Sequence, residues 1–146
     1  MKQFLVAITL ALGVSSVVVG YKPQFAERLS GAAETTPAYG VLVVRKATVE
    51  SQLVDLSGTL THQHPMLQSK EFELHAIRLE MDRMRALEKS QLSNLSATFG
   101  RLILSKVSLE VELNDLLVCL TSEHPNVKKK RVELAVLERE ITNVLR

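Results

Sequence analysis

Apolar residues return at alternating intervals of three and four along most of this chain, the spacing of helices that each keep one stripe against a partner. In a first helix, expected over about residues 39–61, Leu42, Val49 and Leu56 fall on one row and Lys46, Leu53 and Leu60 on the next. The frame resumes at Leu67 and Leu74 and carries on through Leu102, Leu109, Leu113, Leu116 and Leu120. It closes with Val127, Leu134, Leu137, Ile141 and Val144 in a last helix over about 126–146. That 3-4 spacing, kept over most of the chain, makes the predicted class all-α.

Polar corners interrupt the pattern twice. Thr61, His64 and Pro65 make the first and Thr121, His124 and Pro125 the second, sixty residues later. At the same offset Gly40, Leu42, Lys46, Glu50, Leu53, Asp55, Glu73 and Glu80 recur as Gly100, Leu102, Lys106, Glu110, Leu113, Asp115, Glu133 and Glu140. The chain therefore holds an internal repeat of a helix, a His-Pro corner and a helix. A residue before proline is driven toward extended backbone, and proline is well suited to a first helical position, so each corner both stops and starts a helix. So short a connection folds the two helices back antiparallel.

Between the corners no proline stands from Met66 to Leu120, and Gly100 costs a helix only about 1 kcal/mol. The spacing thus predicts one long helix over about 66–120, roughly 80 Å of rod, with a hairpin folded back on each half and the corners at opposite ends. The alternative is a break near Ser96 to Gly100 that closes a four-helix bundle. By this reading the hairpin repeats occupy 39–98 and 99–146, behind a linker over 23–38 that contains Pro23, Gly31 and Pro37.

Ahead of the linker, an uncharged run from Phe4 to Gly20 follows Met1-Lys2-Gln3 and ends at Tyr21-Lys22. Its length, about 26 Å as a helix, suits either an uncleaved membrane anchor over 1–22 or a signal peptide cut before Tyr21. Both readings send the rest of the chain across a membrane, and the anchor reading puts lipid against residues 4–20.

Composition narrows the picture. Tryptophan is lacking, aromatics are sparse and charge is nearly balanced, at +2, so charge alone points to neither an acidic nor a basic partner. The single cysteine, Cys119, excludes an intrachain disulfide and a thiolate zinc cluster. Ile103, Leu104, Val111, Leu117, Val118, Val132, Val136 and Leu145 lie off the seam, so one hairpin leaves apolar surface to be covered by other copies or a partner.

The run Leu116-x-x-x-Leu120-Thr121-x-Glu123-His124-Pro125-x-Val127, leading into Leu137-Glu138-Arg139-Glu140-Ile141, resembles the coiled-coil tip of polysaccharide co-polymerases, the chain-length determinant and exopolysaccharide-export proteins of bacterial envelopes. The resemblance covers about thirty residues per copy. It implies an N-terminal membrane helix, periplasmic helical hairpins, ring-like oligomers and a role in polysaccharide length or export. The chain departs from that pattern in carrying the corner twice and in showing no α/β base domain, second membrane helix or kinase motif.

Candidate chemistry is thin. His62, His64, His75 and His124 are the possible imidazole ligands, but the repeat keeps only His64 and His124, which suits a structural corner better than a metal site. Glu71 with Glu73 and Glu138 with Glu140 are spaced i, i+2, cannot face each other on a helix, and read as a solvated face. Lys128-Lys129-Lys130-Arg131 reads as helix surface. No glycine-rich phosphate loop, nucleophile elbow or aromatic platform for nucleic acid occurs. The expectation is a non-enzyme without catalytic, cofactor or metal residues: a single-pass inner-membrane, periplasmic scaffolding subunit that works as a homo-oligomer or within a larger membrane complex. The alternative is a secreted or periplasmic helical binding or chaperone-like protein, freed by signal cleavage.

Overall fold

The computed structural model describes residues 31–146. Four long helices carry the fold: α1 (Pro37–Ser57), α2 (Pro65–Arg85), α3 (Ala97–Cys119) and α4 (Pro125–Leu145), with a short 3-10 turn at Leu92–Asn94. Residues 31–34 are also helical, and no strand occurs among the described residues. The expected anchor at 4–20 and part of the 23–38 linker lie outside the described residues, and no described helix is long and apolar enough to cross a membrane.

Each start is built by a side chain that accepts from a free amide of the first turn. The hydroxyls of Thr36 and Ser96 accept from Tyr39 N–H (3.3 Å) and Phe99 N–H (3.2 Å). Nδ1 of His64 and of His124 accepts from Met66 N–H and Asn126 N–H, both at 3.2 Å. Pro37, Pro65 and Pro125 then occupy the first helical position. All four caps recur at the repeat offset, so the two hairpins, α1–α2 and α3–α4, are copies in local structure as well as in sequence.

The central rod of 66–120 does not form. Helix α2 ends at Arg85, and residues 86–96 turn the chain before α3 begins. Ser90, Ser93, Asn94 and Ser96 crowd this stretch, residues whose side chains offer the backbone a competitor to helical bonding. Ser96 becomes the cap of α3, and Leu95, 1% exposed, is driven into the core. Its carbonyl accepts from Ala38 N–H at 3.1 Å, satisfying an amide in the first turn of α1. A straight helix would avoid the turn but leave one whole face of α3 in water. Folding back buries Phe99, Ile103 and Val107 of α3, and at about 1.5–3 kcal/mol for each large apolar side chain the break wins.

Both His-Pro corners consequently lie at the same end, which corrects the expectation of opposite ends. Ser69 Oγ, just after the first corner, donates to Asp115 Oδ2, just before the second, at 2.9 Å. At the other end Gln91 Nε2 and Asn94 Nδ2 donate to the carbonyls of Leu145 and Val144, both at 2.9 Å. The helices run up-down-up-down.

Closure into a symmetric bundle does not follow from that order. The main helix contacts are α1 with α2, α3 with α4, and α3 with both α1 and α2. The second hairpin is laid onto the first through α3, so the core is made by α1, α2 and one face of α3. In α2 Leu67, Leu74, Ile77, Met81 and Met84 are buried, whereas in α4 only Val127 is.

Candidate interaction surface

The joint between the hairpins contains the one ion pair in which both side chains are buried among the described residues. Lys106 of α3 and Glu80 of α2 are each 5% exposed, and Lys106 Nζ donates to Glu80 Oε1 at 2.8 Å while also holding Glu110. Burial pulls the Lys106 ammonium down, but hydrogen bonds to Glu110 and Glu80 outweigh it, so the group stays charged to above the ordinary lysine range. Glu73 is likewise buried, and the solvated-face reading of Glu71 with Glu73 holds only for the exposed Glu71. Burial alone would raise the Glu73 carboxyl; Lys70, donating at 2.8 Å, and Arg45 of α1, whose Nε donates at 2.7 Å, hold it below the ordinary carboxylate range.

Gly100 sets the approach of α1 to α3. A Cβ there would stand 2.8 Å from the carbonyl oxygen of Ala38 and 2.9 Å from its Cα, so only glycine lets the backbones touch. Gly40, its equivalent, has nothing within 4 Å.

The sequence-derived residues distribute as follows. Thr61 and Thr121 are exposed at the corners, where their carbonyls accept from His64 N–H and His124 N–H. Pro65 and Pro125 are exposed first-turn residues. Of the seam, Val127 is fully buried, Leu102, Leu109, Leu113, Leu116, Leu120, Leu134, Leu137 and Ile141 are half-buried, and Val144 is 40% exposed. Among the off-seam residues, Ile103 is taken into the joint between hairpins, while Leu117, Val118, Val132 and Val136 remain exposed.

Lys106, Glu80 and Gly100 were not singled out as functional by periodicity. A signal was present: all three are kept across the repeat as Lys46, Glu140 and Gly40, and Lys106 occupies a seam position where leucine would be expected.

At the corner end, an open groove of about 630 Å³ runs between α3 and α4, walled by Leu116, Cys119 and Leu120 and rimmed by Glu112, Lys129 and Lys130. A neighbouring one of about 440 Å³ lies between the start of α2 and the end of α3, lined by Pro65, Met66, Asp115 and Val118. Both are apolar troughs with charged lips, suited to holding another helix by contact. No cluster of three histidine, cysteine or acidic side chains that could hold a metal occurs among the described residues. In comparison with known proteins, no family model matches the chain, and neither a curated protein nor a solved structure does.

Proposed function

We propose that this protein is a non-catalytic scaffolding subunit, tethered to a membrane through residues 4–20, whose helical hairpins pack laterally in an envelope assembly. The observation that carries this reading is the one-sided packing of α4. This helix of 21 residues turns Val132, Val136 and Val144 outward and buries fully only Val127, more apolar exposure than an isolated surface helix needs. The uncharged run at 4–20 supports the tether. The corner motif makes polysaccharide chain-length control or export the setting to try first, with the corners now read as a paired tip and not as the two ends of a rod.

Retention in membranes after carbonate washing, with oligomers captured by a short cross-linker, is the expected result. A carbonate-soluble monomer would contradict it. The same exposed stripe also favours the second reading, a secreted binding or chaperone-like protein that offers α4 to a client. N-terminal sequencing separates the two: a mature start at Tyr21 selects the secreted form, and an intact leader selects the scaffold.

A further inference from the structure

The internal joint is not self-complementary. It sets one face of the first hairpin against a different face of the second, the head-to-tail kind of contact that leaves an unused copy of each face at either end of a stack. Both unused faces can be identified by shifting every contact of the joint by the repeat length.

The face of the second hairpin that is consumed in the joint is Gly100, Ile103, Lys106 and Val107. Its counterpart on the first hairpin is Gly40, Val43, Lys46 and Ala47. Gly40 meets nothing within 4 Å, Val43 is 43% exposed and Ala47 is exposed. The face that the first hairpin contributes includes Ala38, Leu42, Glu80 and Met84, all buried. Its counterpart on the second is Thr98, Leu102, Glu140 and Val144, all exposed or half-buried. Charges match as well. Lys106 reaches Glu80 while holding Glu110, and Lys46 already holds Glu50 at 3.2 Å, with Glu140 as the shifted acceptor. Ser69 donates to Asp115, and the shifted positions are Lys129 and Asp55, an opposite-charge pair in place of a hydroxyl–carboxylate hydrogen bond.

We infer that a second copy of this chain stacks on the first by repeating the internal joint. Gly40, Val43 and Lys46 of one copy then sit on Thr98, Leu102 and Glu140 of the next. This stacking rests on the scaffolding reading and names its contact. Repeating the joint also leaves the start of α1 in every copy at the same edge, as a row of chains tethered to one membrane requires.

The test uses full-length chain with Cys119 replaced by Ser. Carrying Lys46→Cys and Glu140→Cys together, it is expected to give an oxidised ladder of dimer, trimer and larger species. A mixture of the two single variants is expected to stop at the dimer, and neither single variant alone is expected to cross-link. A symmetric dimer from Lys46→Cys alone, or no cross-link from the double variant, would overturn the inference. With native cysteine, Lys46→Glu and Glu140→Lys should each weaken self-association by roughly tenfold or more, and mixing them should restore it by mating the reversed charges. Gly40→Ala should leave the monomer's melting unharmed and weaken assembly, because its Cβ would meet the next copy's Thr98 backbone. Washed membranes that hold cross-linkable oligomers but show no disulfide between positions 46 and 140 of the double variant would spare the scaffold and remove this contact; a released monomer would remove both.

Discussion

At Gly100 a single missing methyl decides how closely α1 and α3 can lie. Gly100→Ala would press Cβ against the Ala38 backbone, which has no flexible end to yield, and should cost about 1–3 kcal/mol in urea melts. Gly40→Ala, facing open space in the same helical position of the other repeat, should instead gain up to about 1 kcal/mol. Equal effects at the two sites would contradict the close approach. Removing the cation from the joint, by Lys106→Met, leaves Glu80 buried with Arg83 as its remaining partner, and about 2–3 kcal/mol of stability should be lost at neutral pH. Because the folded lysine holds its proton above the ordinary value of 10.5, that contribution is complete below the unfolded value and fades as pH rises through the folded one. Wild type and variant should therefore converge in strongly alkaline melts; a constant gap would show that the charge is not what is lost. The two repeats also differ instructively at Gln52, whose Oε1 is buried without a partner. Its equivalent, Glu112, accepts from Lys130 at 2.7 Å, so Gln52→Glu should give Lys70 the same second carboxylate and gain about 0.5–1 kcal/mol. A drop in melting temperature would show that the new charge finds no such contact.

At the scale of elements, the ends of helices were more legible than their continuity. Proline after His64 and after His124 marked two starts, whereas the unbroken helix expected over 66–120 passed over the start at Ala97, although Thr36 recurs there as the capping Ser96. What the sequence concealed was the stop after Arg85. It has no glycine or proline, only scattered serines and an asparagine whose weak local preference decides nothing until Leu95 and Ile103 find a core that lies far off in the chain. The buried charges were hidden for the same reason: periodicity places Lys106 on the seam, but only the stacking of hairpins brings Glu80 to it. The unequal burial of the repeats gives a local expectation. Amides in the middle of α4, about residues 132–142, should exchange with solvent faster than those of α2 at 72–82, since that stretch of α4 has no fully buried side chain. Equal protection would mean α4 is covered by something more than α3. His124→Ala, which removes the acceptor for Asn126 N–H, should lower stability by about 1 kcal/mol and His124→Asn should restore most of it.

For the whole molecule, the decisive fact is that two copies of one hairpin are laid side by side and not strung end to end. One face of each copy is spent in the joint and the equivalent face of the other is left over, which gives the molecule a direction. The distance between the two His-Pro corners tests this arrangement most directly. Spin labels at Thr61→Cys and Thr121→Cys, both exposed and both in the Cys119→Ser chain diluted with unlabelled protein, report it by pulsed dipolar spectroscopy. Helices packed side by side at about 8–10 Å put the labels within roughly 25 Å of each other. A separation near the roughly 80 Å of an unbroken central helix would contradict the stacked hairpins, and the joint built on Lys106 and Glu80 with them.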